Sequence, residues 1–216
     1  MRAGQDNRAK RIFSCLCFNR FMENILEIAK NNQNSAFKII KELEIESGFK
    51  NIGCDVNLVG SLKSGLLMKH LDIDFHIYSD IVSIEKSFSV ILKLIKNPAV
   101  KKFTFKNSLD KEENCLEWHI FYEDEFKRLW QIDIIHMPKK SKYCGYFEHV
   151  TDRISEVLTA DAKNTILQLK YNTPDDIKIS GIEYYRAVIE GKVSTFDGFL
   201  RWREEHPANG IIDWCP

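Results

Sequence analysis

Eight consecutive residues, Leu71-Asp72-Ile73-Asp74-Phe75-His76-Ile77-Tyr78, alternate between apolar and polar side chains. A period of two is that of an extended strand, so Leu71, Ile73, Phe75 and Ile77 share one face and Asp72, Asp74, His76 and Tyr78 the other. Such a strand needs neighbours to pair with and a layer to cover its apolar face. With 44% apolar and 29% charged residues, the 216-residue chain has the material for that core.

The remaining patterns supply the neighbours. Val56–Val59 reads as a short strand closed abruptly by Gly60-Ser61, and Ser61 to His70 as a turn with about two helical turns. Ser83–Lys96 carries a helical stripe ended by Asn97-Pro98. Val100–Phe105, Cys115–Tyr122 and Leu129–His136 read as strands, the last two joined by a hairpin at 123–127. Upstream, Met22 to Ile45 has helical spacing, which Asn31–Ser35 is expected to break into two helices. Beyond Pro138 the pattern is helical, with helices expected over His149–Leu169, Asp175–Glu190 and Thr195–Glu205 and a proline-led start at Thr173-Pro174-Asp175. The expected organisation is a weakly ordered arm over 1–21, an α/β (α+β) core over 22–138 built on a mixed sheet flanked by helices, and a helical region over 139–216.

Six cysteines (Cys15, Cys17, Cys54, Cys115, Cys144, Cys215) are irregularly spaced, with no CxxC pair. This disfavours a zinc site and a secreted disulfide scaffold, and reads as free thiols in a reducing cytoplasm. No apolar run approaches the roughly 18–20 residues that cross a bilayer. The segment Ile12–Phe18 is too short and interrupted for a secretory signal.

The chemistry concentrates in Val59-Gly60-Ser61-Leu62-Lys63-Ser64-Gly65 and the two acids that follow. Gly60 and Gly65 have the gap of a P-loop, but Leu66 and Leu67 stand where lysine and a hydroxyl are required, and no GxGxxG exists. What remains is a strand ending in Gly-Ser and a second strand whose Asp72 and Asp74 point the same way, about 7 Å apart. Like charges on one face are costly unless cations neutralise them, and such a pair can converge on divalent ions. Glycine admits a phosphate to the backbone, and serine can hydrogen-bond it. Asp133, a lone acid framed by Ile132 and Ile134, is expensive to bury unpaired and is the candidate third ligand, with Asp152 or Glu117 as substitutes.

Gly60-Ser61, ten intervening residues, Asp72-Ile73-Asp74 and then Asp133 on a later strand resemble the DNA polymerase β-like nucleotidyltransferase superfamily, over about residues 22–138. The resemblance implies a nucleotidyltransferase core and transfer of a nucleoside monophosphate from a nucleoside triphosphate to an acceptor hydroxyl, with release of pyrophosphate. It implies that Asp72, Asp74 and Asp133 are the catalytic, metal-holding residues for two Mg2+ ions, that Gly60 and Ser61 hold the β/γ-phosphates, and that Lys63 is a further phosphate contact. Lys+Arg and Asp+Glu both number 31, and this zero net charge favours a small-molecule acceptor over a polynucleotide. The alternatives are transfer to protein or RNA, a non-catalytic nucleotide- or partner-binding module of the same fold, and a phosphohydrolase or nuclease, which usually adds histidines.

Other residues have plainer readings. His76 reads as a polar, partly exposed strand residue, and Trp118, Trp130, Trp202 and Trp214 as packing rather than base-stacking groups. Lys139, Lys140 and Lys142 read as a solvated loop. Tyr184, Tyr185 and Arg186 lie on a helix that could face the cleft.

Overall fold

The structure, a computed structural model, describes the backbone of residues 3–208 and 213–216, with side chains from residue 22 onward. The elements are α1 (Ala3–Glu42), α2 (Ile45–Lys50), β1 (Asp55–Val59), α3 (Gly60–Lys63), β2 (Asp72–Ser79), α4 (Ile84–Leu94), β3 (Val100–Asn107), β4 (Leu116–Glu123) and β5 (Leu129–Pro138), followed by α5 (Tyr146–Val157), α6 (Ala160–Asn172), α7 (Gly181–Ile189) and α8 (Phe196–Glu205). The strands form one sheet in the order β1-β2-β5-β4-β3. Only β2 and β5 run parallel; the other pairs are antiparallel. The fold is the α+β class expected, a mixed sheet flanked by helices.

Alternation places Ile73, Phe75 and Ile77 of β2 on one face with Trp118, Ile120, Trp130, Ile132 and Ile134. Ile39 and Ile40 of α1, Phe49 of α2 and Val90, Ile91 and Leu94 of α4 cover that face. Trp118 meets its one polar need by donating to Ser87 Oγ at 3.2 Å. A second core joins Ile25 and Ala29 of α1 to Val150 and Ile154 of α5, Leu167 of α6, Tyr184 of α7 and Phe199 of α8.

α1 serves both cores, and this explains why the expected break at Asn31–Ser35 does not occur. Polar side chains there act as tertiary brackets. Asn32 donates to Met68 O at 2.9 Å and accepts from Arg128 at 2.8 Å, and Ser35 Oγ accepts from Arg128 at 3.0 Å. Bonds from distant chain outweigh the local turn preference of these residues. α1 also runs through the boundary expected at residue 22; Met1 and Arg2 of the expected arm, and the side chains of residues 3–21, lie outside the described residues.

Two helix boundaries differ from the sequence reading for local reasons. The helix expected over His149–Leu169 is two, because Thr159 caps α6 by accepting from Ala162 N–H at 3.1 Å. The start expected at Pro174-Asp175 is instead a loop held by Lys69, which pairs with Asp175 at 2.7 Å and donates to Thr173 O at 2.6 Å. The true start is a capping box, Ser180 with Glu183.

Candidate active site

β1 ends beside β2 with Val59 opposite Asp74. Gly60 follows with φ +73°, and a Cβ there would collide with Asp74 Oδ2, so both conformation and space require glycine. α3 is a single turn. Gly60, Ser61 and Ser64 face a cleft, while Lys63 is exposed to solvent outside it. Lys63, the expected phosphate contact, thus does not line the cleft.

The cleft encloses about 550 Å3. Its floor is the polar face of β2, Asp72, Asp74 and His76, with Gln131 of β5. One wall is α5, through Tyr146, Phe147, Val150 and Ile154; the other is α6, α7 and the segment between them, through Lys170, Lys178 and Tyr185. Tyr184 belongs instead to the helical core, and Arg186 pairs with Glu190 at 3.0 Å.

The electrostatics centre on Asp74. Burial first, and then the charges of Asp72 and Asp133, push its carboxyl up to about 7 against the pull of Lys170. Asp72 is raised by burial and Asp133, opposed by His70, Lys178 and Lys170. Among the described residues no hydrogen-bond donor reaches either carboxylate. Lys170 is lowered to about 8 by burial, against the two aspartates. Its ammonium donates to Leu66 O at 2.8 Å, tying α6 to the turn after α3.

Asp133 sits directly across from Asp74 in the parallel pairing, one strand away on the same face of the sheet. Unlike the other two acids it is well partnered. His119 Nδ1 lies 2.6 Å from Oδ1, and Gln131 Nε2 donates to both oxygens at 3.0 Å. The substitutes fall away, since Asp152 is exposed and Glu117 is bound by Lys106 and Ser108. Among the described residues no group of three or more His, Cys, Asp or Glu is gathered as an ion site. The donor-free pair Asp72 and Asp74 fits a divalent cation; Asp133 is braced by His119 and Gln131 and keeps acceptor capacity for a further contact.

His76, expected to be partly exposed, is buried in the cleft floor. Its ring meets the Phe147 ring edge-on at 4.9 Å, and burial pushes it down to about 4. Sequence reasoning also missed Lys170 and Lys178. Lys170 follows Ile166, Leu167 and Leu169, and a lysine against so apolar a stripe is a signal, but nothing local ties it to acids about a hundred residues earlier. The plainer readings fare simply: Trp118 and Trp130 are fully buried, Lys139 pairs with Asp55 at 2.9 Å, and Lys142 pairs with Glu112. Cys54, Cys115, Cys144 and Cys215 are free thiols; the side chains of Cys15 and Cys17 lie outside the described residues. Among the described residues no helix is long and apolar enough to cross a membrane.

No family model and no curated protein matches the chain. Solved structures do match. Cid1 poly(U) polymerase with bound MgGTP is 18% identical with a TM-score of 0.54, over 78% of this chain and 55% of that one. The Mg 3′-dATP complex of the same polymerase gives 17% identity and a TM-score of 0.54 over 78% and 54% of the two chains. A structure of Cid1 described for its RNA terminal uridylyl transferase activity gives 17% and 0.51 over 79% and 52%. The chain spans about half the length of these structures. Its mixed sheet and flanking helices therefore share the fold of Cid1 poly(U) polymerase.

Proposed function

We propose that the chain binds a nucleoside triphosphate with magnesium in this cleft and transfers the nucleoside monophosphate to a hydroxyl of a small-molecule acceptor, releasing pyrophosphate. The observation that carries this reading is the donor-free pair Asp72 and Asp74, desolvated and mutually repelling beside the Gly60-Ser61 turn. Two carboxylates in that state are stabilised by cations, and the adjoining turn presents a glycine backbone and a serine hydroxyl to phosphate.

Magnesium held by Asp72 and Asp74, as two ions with Asp133 as the third ligand, would neutralise phosphate charge and polarise the phosphorus under attack. The chain's own groups do the positioning. Gly60 leaves room for the phosphates at the backbone, and Ser61 donates to them. Lys170 and Lys178, rather than Lys63, supply the cationic wall opposite. Asp133, braced by His119 and Gln131 across from Asp74, would take the proton of the acceptor hydroxyl. Catalysis of this kind is mostly orientation and charge stabilisation.

The zero net charge supports the small acceptor, as does the position of the cleft's lysines: Lys170 and Lys178 both act on Asp72. Addition to an RNA end is the second reading, favoured by the likeness to a poly(U) polymerase. The test is pyrophosphate release from ATP, GTP, CTP and UTP with magnesium, with small hydroxylated acceptors (aminoglycoside or lincosamide type) and a short RNA offered separately. Pyrophosphate with a small acceptor is the expected result, and RNA extension selects the second reading. Orthophosphate release alone, or nucleotide binding that ignores magnesium, would overturn nucleotidyl transfer.

A further inference from the structure

We propose that His76 is the group that receives a ribose hydroxyl of the bound nucleotide, its imidazole held with Nε2 unprotonated by Tyr78 and Glu148. The inference rests on the nucleotide reading above and adds the part of the substrate that the carboxylates do not touch.

The tautomer follows from proton accounting. The Tyr78 hydroxyl lies 2.7 and 2.9 Å from the two Glu148 oxygens, so its single proton is donated to that carboxylate. The phenolic oxygen is left as an acceptor. It takes the Gly145 N–H at 3.2 Å and faces His76 Nδ1 at 3.4 Å. An Nδ1–H finds an acceptor there and a bare Nδ1 would find no donor, so the contact favours the tautomer that leaves a lone pair on Nε2. Among the described residues no hydrogen bond reaches Nε2, and the ring forms part of the cleft floor.

Position then selects the ligand group. His76 is two residues beyond Asp74 on the same strand face, about 6.8 Å along β2. That is roughly the reach from a phosphate held at the aspartates to the far side of its sugar. The cleft also changes character along this line. His70, Lys170 and Lys178 act on Asp72, whereas His76 is bordered by Phe147 and the apolar α5 wall. A phosphate oxygen placed there would meet a lone pair and no cation. A hydroxyl can donate to Nε2 and rest its carbon skeleton on Phe147 and Val150. A base amino group could also donate, but it lies farther from the phosphates than the sugar does.

The test uses the full chain and ATP, GTP, CTP and UTP, each beside its 2′-deoxy and 3′-deoxy counterparts, with magnesium, in calorimetric binding. The wild type is expected to favour the ribonucleotide about tenfold over one deoxy counterpart, the worth of one neutral hydrogen bond. His76→Leu should bring that ratio to about one while deoxynucleotide affinity holds, and His76→Gln, which retains an acceptor, should restore part of it. Tyr78→Phe should lower the ratio about threefold, and the 15N shifts of His76 should report a protonated Nδ1 that is lost in this variant. A ratio near one in the wild type, or one unchanged in a folded His76→Leu, overturns the inference and leaves the nucleotide reading standing. A change in base preference without a change in the ribo/deoxy ratio would assign His76 to the base and overturn it too. Absence of any magnesium-dependent nucleotide binding overturns both.

Discussion

Asp124 and Asp74 are desolvated carboxylates near the same end of one sheet, where β2 and β5 begin, and the fold treats them in opposite ways. Asp124, in the β4–β5 hairpin, accepts from Arg128 Nε at 2.8 Å, Trp130 Nε1 at 2.9 Å and the N–H groups of Phe126 and Arg128, each at 2.9 Å. Burial alone would raise its carboxyl; these bonds outweigh burial and hold it below the usual range. Asp74 has the burial without the bonds and two like charges besides, and it rises to about 7. A carboxylate that the chain satisfies belongs to the scaffold. One left unsatisfied beside a second weakens the empty protein and is relieved only by something that arrives from solution.

The contrast breaks most sharply under mutation. Asp72→Asn with Asp74→Asn should lower magnesium-dependent pyrophosphate release at least about a thousandfold, roughly 4 kcal/mol in the barrier. Asp124→Ala should leave the site intact but destabilise the fold by about 3 kcal/mol, read from the urea midpoint, because Arg128 and Trp130 lose a buried partner. Next in size, Lys170→Ala should raise the KM for nucleoside triphosphate about tenfold to a hundredfold, the cost of one charge-assisted bond, while Lys63→Ala should change it less than about twofold.

The smallest effect has the most telling sign. Asp74 titrates near 7 when folded against 3.8 unfolded, so below pH 3.8 both states are protonated and the site costs nothing. As pH rises from about 4 to about 7 the unfolded chain releases its proton first, and metal-free stability falls across that window. Asp74→Asn should therefore be more stable than wild type above pH 7, by about 1–2 kcal/mol after allowance for partial exposure. Magnesium should shrink the difference, since it stabilises only the charged pair. An Asp74→Asn variant less stable than wild type at pH 8 without metal would remove the contrast with Asp124.

Local patterning was enough for the sheet and the acids. The alternation of Leu71–Tyr78 fixes which way Asp72 and Asp74 point, and Gly60 announces a turn that no side chain could occupy. What the sequence conceals is tertiary. Asn32 and Ser35 look like a helix break until Arg128, nearly a hundred residues later, bonds both. Pro174-Asp175 looks like a helix start until Lys69 pins it as a loop. Lys63 lies in the motif, yet the single turn of α3 points it outward, and Lys170 takes the cleft from a helix with no local tie to the acids. Asp133 was legible as an acid in an apolar strand, but His119, its partner, becomes a neighbour only through the β4–β5 register.

Calorimetric titration of ATP, GTP, CTP and UTP into wild type and Asp74→Asn, each with and without magnesium, tests the account most directly. Saturable binding that needs both the metal and the native aspartate is the expected result. Equal affinity in the variant, or binding that proceeds unchanged in a chelator, would contradict it.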